Sequence, residues 1–250
     1  MNQHLRYQPP ADALRGRVIA ITGAGEGIGR ALALAAAGHG AEVVLIGRTV
    51  SKLEAVHGRI AALGQAEASI APLDLERALA RDYDALAEAI QGRYGRLDGL
   101  VHNAGILGAL APIEHYDVPT WCRVLHVNLT AAFALTQVLL PALRAAPEAS
   151  IIFTSSGVGR LPKAYWGAYS ISKAGVEALC GTLAQELGDG PIRVNALNPG
   201  PVRTRMRAQA YPAEDPAGLA RPEDVLPPYL WLLSAASRGV NGQSLDCQPG

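Results

Sequence analysis

The chain has 250 residues with 22 basic and 22 acidic side chains. Its formal charge is therefore zero, and it lacks the long-range positive field that nucleic acid or an anionic membrane surface demands. At 49% hydrophobic it can bury one large core, whereas stretch 1–17 has no signal-peptide apolar core and no apolar run reaches the roughly 18 residues of a membrane span.

In chain order, the apolar run 18–21 reads as a strand, followed by a glycine-rich turn and an Ala-rich helix to residue 37. The alternation continues with a strand at 42–46, a helix at 51–63, a strand at 68–72, a helix at 75–94 and a strand at 97–102. A long helix at 120–144, a strand at 150–154, a helix at 167–187, a strand at 192–197, a helix at 222–233 and a strand at 243–246 complete it. Strands alternating with helices predict an α/β fold: one doubly wound parallel sheet of about seven strands with helices on both faces. One domain, 1–250, is expected, with an N-terminal extension at 1–16. The Pro-, Gly- and Arg-rich segment 198–221 reads as a mobile substrate loop over the site. Cys122, Cys180 and Cys247 are odd in number and lack metal-ligand spacing, so no metal is expected and the thiols read as reduced packing residues.

Tyr169 stands four residues before Lys173, which puts both on one helix face. An ammonium beside a phenol favours the phenolate and draws a Tyr pKa of about 10 toward neutrality, where proton transfer is most useful. Taken alone, such a pair more often arises from an exposed tyrosine and a solvated lysine. The turn Thr22-Gly23-Ala24-Gly25-Glu26-Gly27-Ile28-Gly29 follows the first strand and opens the first helix. Glycines there let the backbone approach a pyrophosphate, and the helix N-terminus offers free N–H groups. Their spacing is Gly-x-x-x-Gly-x-Gly, weak evidence in isolation.

Together these residues resemble the short-chain dehydrogenase/reductase family in its single-domain, Rossmann-type form, over nearly the whole chain. Asn103-Ala104-Gly105 is similar to the family's Asn-Ala-Gly element, with His102 in place of the usual preceding Asn; a satisfied structural histidine is expected there. Counting thirteen residues back from Tyr169 reaches Ser156, the family's substrate-oxygen serine, in preference to Ser155. Asn128 matches the position that holds a proton-relaying water. The resemblance thus implies a tetrad of Asn128, Ser156, Tyr169 and Lys173, with Lys173 also serving the nicotinamide ribose. The expected cofactor contacts are Gly23, Gly25, Glu26, Gly27, Ile28 and Gly29, then Asp74 and Leu75 beside the adenine, and Asn103, Ala104 and Gly105. Pro199, Gly200, Val202 and Thr204 resemble the family's carboxamide-holding clamp. Within the family, 153–160, 166–169 and 245–250 look like a bacterial subgroup, the YciK-type oxidoreductases, although Gln248-Pro249-Gly250 replaces the more frequent acidic-glycine ending.

The resemblance implies hydride transfer between nicotinamide C4 and a carbonyl or carbinol carbon. Where the second strand ends, Ile46-Gly47-Arg48 offers no carboxylate to repel a 2′-phosphate and Arg48 to meet it, so NADP is expected, with NAD the alternative. Glu26 argues mildly the other way. The substrate pocket is expected from 106–110, 160–166 and 206–211, with Leu110, Leu161, Tyr165, Trp166 and Met206 suiting an apolar compound. Arg160, Lys163, Arg205 and Arg207 could meet an anionic one, and a 3-oxoacyl thioester is one candidate. An alcohol dehydrogenase working oxidatively and a non-catalytic dinucleotide-binding regulator are the other readings. Helices 120–144 and 167–187 carry apolar residues on more than one face, and the resemblance implies that they pair in a homodimer or homotetramer; a cytoplasmic setting is expected from the lack of a signal-peptide core.

Overall fold

The computed structural model describes residues 3–64, 67–188 and 190–249. Strands β1 (Val18–Thr22), β2 (Glu42–Gly47), β3 (Ala68–Pro72), β4 (Gly99–His102), β5 (Ala149–Thr154), β6 (Ile192–Asn198) and β7 (Ser244–Asp246) form one sheet, ordered β3-β2-β1-β4-β5-β6-β7. All pairings are parallel. β1, β4 and β5 are buried along their whole length, which explains why the centres of these strands read as apolar runs without alternation.

The helices are α1 (Gly27–Gly38), α2 (Val50–Ala61), α3 (Ala80–Tyr94), α4 (Val118–Leu125), α5 (Ala131–Arg144), α6 (Gly157–Arg160), α7 (Gly167–Glu186), α8 (Arg205–Ala210) and α9 (Pro227–Leu233). On one sheet face Leu32 and Ala36 of α1, Leu53 of α2 and Leu233 of α9 pack with Ile19, Ile21 and Leu45. On the other, Ile90 of α3, Leu139 of α5 and Val176 of α7 pack with Ala20, Leu100 and Ile151. Leu135, Leu139 and Leu143 repeat at the helical interval of four and are fully buried. Each contributes about 1.5–3 kcal/mol through removal of its side chain from water.

The elements differ from the sequence reading in identifiable places. The helix expected at 75–94 begins only at Ala80, because Asp74 folds the preceding residues into a turn. Its Oδ1 accepts from Glu76 N at 3.1 Å and its carbonyl accepts from Arg77 and Ala78, while Asp82 accepts from Leu79 N at 2.8 Å. The expected helix 120–144 is α4 and α5 joined by a π-helical turn, His126–Thr130. This run, Val118–Arg144, is long and apolar enough by length and composition to cross a membrane, contrary to the sequence reading, yet its leucines fill the core. The helix expected at 222–233 is a 3-10 turn, Pro222–Val225, followed by α9, which Pro227 opens. Segment 198–221 contains α8 and a bridge between Val202 and Ala220. The N-terminal segment packs on the body: Leu14 is fully buried, the His4 ring lies tilted 5.8 Å from Trp231, and Tyr7 Oη donates to Ser234 Oγ at 3.1 Å.

Candidate active site

The strand order reverses at β1, between β2 and β4, and a cleft opens beyond the strand ends there. Thr22 closes β1 and joins it to β4: its hydroxyl donates to Val101 O at 3.3 Å and accepts from the amides of Asn103 and Ala104, each at 3.0 Å. Asn103 Nδ2 donates to Thr22 O at 3.0 Å. The glycine turn lies directly above. Gly23 has φ +68°, and a Cβ there would lie 2.9 Å from Asn103 Nδ2; at Gly29 a Cβ would lie 2.3 Å from Gly23 O. Only glycine fits at either position. Glu26 precedes α1 without a side-chain cap to its first amides, which leaves them for an anion.

The cleft has two connected parts, since Gly23, Glu26, Ala104, Gly105 and Arg205 line both. The smaller, about 190 Å³, is bounded by Gly25, Arg48, Lys52, Asp74 and Leu75. Arg48 is largely exposed, its Nη1 4.0 Å from Glu76 Oε2, and is free to turn toward a ligand. Glu26 is ion-paired with Lys52. The Lys52 hydrogen bond, against an opposing effect of burial, and then the charges of Lys52, Arg205 and Arg48 hold its carboxyl below the usual range. The single acidic group in the glycine turn is thereby neutralised.

The larger part, about 560 Å³, contains Ser156, Tyr169 and Lys173 together with Gly27, Ile28, Asn103, Pro199, Gly200, Val202 and Thr204. Of the residues expected at the site, Gly29 and Asn128 line neither part. Gly29 sits beneath Gly23. Asn128, 3% exposed on the π-turn, uses its side chain internally. Its Oδ1 accepts from Ile106 N at 2.8 Å, and its Nδ2 donates to Ile106 O at 3.0 Å and Ser172 Oγ at 3.0 Å. It fixes the wall beside Gly105, where a Cβ would meet Asn128 Oδ1 at 3.3 Å and Lys173 Nζ at 3.7 Å. Asn128 stands within the π-turn His126–Thr130, an irregularity that frequently marks functional sites.

Lys173 is buried, its Nζ donates to Thr154 O at 2.7 Å, and it lies 5.7 Å from the centre of the Tyr169 ring. Burial pushes the ammonium down to about 8. The sequence reading had Lys173 lowering the Tyr169 pKa; the direction is opposite. Burial raises the phenol, with a smaller opposing effect from its hydrogen bond to Ser156. Lys173 spends a hydrogen bond on the Thr154 carbonyl, and burial decides the direction of the Tyr169 shift. His102 meets the structural expectation. Its Nε2 lies 2.8 Å from Thr136 Oγ1, whose own proton goes to Ala132 O at 2.8 Å, so the imidazole donates. Its ring stacks on Phe153 at 4.8 Å, and burial together with Lys173 holds it neutral, with a pKa of about 3.

Around the substrate side, Leu107, Trp166, Met206 and Ala210 supply apolar walls. Leu161 and Tyr165 are 79% and 62% exposed and lie outside the cleft, as does Leu110. Tyr165 has φ 72°, and its carbonyl accepts from Ala111 N at 3.0 Å, which ties two loops together while the side chain stays in water. Arg160 faces away from the cleft: it donates to Asp246 Oδ1 at 2.8 Å, Ser244 Oγ at 2.9 Å and Leu245 O at 3.0 Å. Arg207 is paired with Glu214 and stacks 3.9 Å from Tyr211, and Lys163 donates to Tyr211 Oη at 3.3 Å. Arg205 remains without an ion pair among the described residues and faces both parts of the cleft.

Sequence reasoning passed over Lys52 and over Arg205 as a cleft residue of the dinucleotide side, and it set Ser155 aside in favour of Ser156. Lys52 stands in the first turn of α2, directly after the β2 end that carries Arg48, a position from which a cation reaches the same crevice. Ser155 is 2% exposed with its Oγ unpaired, and it lines the larger part of the cleft. No spacing rule marks it.

Residues 17–215 match the family model described as short chain dehydrogenase. The chain is 44% identical to the oxidoreductase YciK of Escherichia coli (strain K12) over 246 residues, 98% of this chain and 97% of that one. Its fold superposes with TM-score 0.95 on a short chain dehydrogenase from Pseudomonas syringae, 49% identical, covering 97% of this chain and 98% of that one. A short chain dehydrogenase from Shigella flexneri 2a str. 301 complexed with NADP superposes with TM-score 0.92 at 43% identity, covering 96% of this chain and all of the other.

Proposed function

The chain belongs to the short-chain dehydrogenase/reductase family, and from that premise we propose that it is an NADPH-dependent reductase of a carbonyl compound, with Tyr169 as general acid. The observation that carries this reading is a buried Tyr169 phenol, which burial holds above its usual pKa, lining one cleft with Ser156 and Lys173. A raised phenol is fully protonated at neutral pH, the form needed to protonate a carbonyl oxygen.

The fit to a dinucleotide rests on the two positions where a Cβ would strike backbone or Asn103, on the uncapped start of α1, and on the unpaired Ser155 Oγ. Gly23, Gly27 and Ile28 would take the pyrophosphate, Asp74 and Leu75 the adenine, and Pro199, Gly200, Val202 and Thr204 the nicotinamide carboxamide. Bound there, the reduced nicotinamide supplies the hydride. Ser156 donates a hydrogen bond to the substrate oxygen as negative charge develops on it, an interaction strengthened by the low-dielectric wall of Leu107 and Trp166. Tyr169 passes its proton to that same oxygen. Lys173, titrating near 8, exchanges protons close to neutral pH and replenishes the phenol. Asn128 fixes the Ile106 backbone and keeps the cleft wall in register with Lys173.

Arg48, four residues before Lys52 in sequence, favours the 2′-phosphate, because Glu26 is already neutralised by Lys52. The walls of Leu107, Trp166, Met206 and Ala210 are apolar, and Arg30, Arg203 and Arg205 line the same part of the cleft without an ion pair among the described residues, which suits a hydrophobic carbonyl bearing an anionic group; a 3-oxoacyl thioester fits this description. We read the whole chain as one domain. Phe133 on α5 and Ile171 on α7, 48% and 46% exposed, mark the apolar surface of a homodimer or homotetramer, and free thiols support a cytoplasmic setting. The test is NADPH oxidation against a panel of ketones, aldehydes and acyl thioesters. Turnover of at least one supports the reading, and a protein that binds NADPH yet reduces none refutes it.

A further inference from the structure

We propose that Gln248 is a positioning residue for the nicotinamide half of the cleft, acting as a strut that sets the backbone of 199–204. The inference rests on the reading of that segment as the carboxamide clamp.

The segment after β7 runs back under the clamp. Gln248 Nε2 donates to Pro199 O at 2.7 Å and to Pro201 O at 2.9 Å, so one amide nitrogen bridges the carbonyls on either side of Gly200. Only the NH₂ end of a glutamine can face two carbonyls, because its oxygen would repel both. Gly200 lies between them with φ +70°, and a Cβ there would come 2.8 Å from Gln248 Nε2. Glycine and glutamine are therefore a matched pair: the left-handed turn brings both carbonyls to one nitrogen, and the missing Cβ makes room for it.

Neighbouring bonds extend the strut. Cys247 N donates to Asn198 O at 2.8 Å, Asn198 Nδ2 donates to Asp246 Oδ1 at 2.8 Å, and Asn198 Oδ1 accepts from Gly200 N at 3.1 Å. Asp246 also takes Arg160 Nη1 at 2.8 Å, and Arg160 ends the short helix that Ser156 opens. Residues 246–248 thus grip the clamp loop and, through Arg160, the turn that carries Ser156. Downstream of the strut, Val202 bridges to Ala220, and Thr204 Oγ1 accepts from Arg207 N at 3.2 Å to start α8. A displacement at Gly200 would carry through to both. Gln248 lines neither part of the cleft, so it acts through the loop.

The experiment uses the full chain with Gln248→Glu, which turns the double donor into an acceptor, and Gln248→Met, which removes the donor at similar volume. Two readouts are taken. Amide hydrogen exchange without dinucleotide should speed up across 200–204 in both variants and stay at the parent rate in β1 and α1. Fluorescence titration should show NADPH bound about tenfold more weakly, the scale of two lost hydrogen bonds shared between loop order and ligand. Adenosine 2′,5′-bisphosphate, which lacks the nicotinamide half, should bind as to the parent. Either change without the other overturns the proposal, as does equal weakening of both ligands with a general loss of protection, which marks a merely structural role. If the parent binds adenosine 2′,5′-bisphosphate but not NADPH, the clamp reading fails, while the exchange data still decide whether Gln248 orders the loop.

Discussion

His102 offers a quantitative test of how this site tolerates a titratable ring in its core. The imidazole is 6% exposed and has a pKa of about 3 against an ordinary 6.5. Between those values the unfolded chain binds a proton that the native protein refuses. Stability from this group is therefore fully present above pH 6.5 and is lost as pH falls toward 3. Each pH unit in that window costs about 1.4 kcal/mol, which makes about 2 kcal/mol at pH 5. In His102→Gln the amide nitrogen takes the place of Nε2 against Thr136 Oγ1 and does not titrate. Its packing cost, including the lost stacking on Phe153, is the same at every pH, whereas the pH slope changes. Urea unfolding of both proteins at pH 7.5, 6 and 5 measures this. The difference in unfolding free energy should shift by about 2 kcal/mol in favour of the variant between pH 7.5 and 5. Parallel slopes would mean that the ring is charged or hydrated in the folded protein, and the burial argument would be wrong.

Arg48→Ala should lower kcat/KM for NADPH at least tenfold while leaving NADH nearly unchanged, because one charge-assisted bond to the 2′-phosphate contributes about 1.5–3 kcal/mol; unchanged preference assigns that contact elsewhere. Arg193 is buried at the edge of the core and donates to Ser237 O, Ser237 Oγ, Leu232 O and Ser234 O. Arg193→Met removes these four bonds, while Ser237 Oγ still donates to Leu232 O and Ser234 O and Val240 N to Ser237 O, and should cost about 1–3 kcal/mol in urea unfolding. Gly29→Ala puts a methyl 2.3 Å from Gly23 O, so the turn must move and dinucleotide affinity should fall at least a hundredfold by titration. Parent-like binding would show that the turn is not the cradle.

Much of this was legible because the relevant residues sit at fixed offsets on regular elements. Tyr169 and Lys173 share a face of α7, and Thr22 to Gly29 bridge a strand and a helix, so spacing alone brings each group together. Asn128 was named by position, but its surroundings were hidden: the π-turn at 126–130 leaves no mark in the hydrophobic period of 120–144. The partners of arginines were equally hidden. Arg160 meets Asp246 across 86 positions, a pairing that depends on β7 lying beside β6 rather than on any local pattern. The direction of the Tyr169 shift was misread because a sequence shows the neighbouring charge and not the desolvation that outweighs it. The partners of Gln248 were hidden in the same way as those of Arg160: they are two carbonyls almost fifty positions upstream.

The central claim, that Tyr169 is the proton donor of a dinucleotide-dependent carbonyl reduction, is tested most directly by Tyr169→Phe. The variant removes one oxygen and keeps the ring against Trp166. NADPH affinity by titration and single-turnover hydride transfer to the best carbonyl of the panel are measured side by side. Affinity should stay within about twofold of the parent while the transfer rate falls about 10²–10⁴-fold, the range for a lost general acid. Parent-like transfer in Tyr169→Phe would contradict the account.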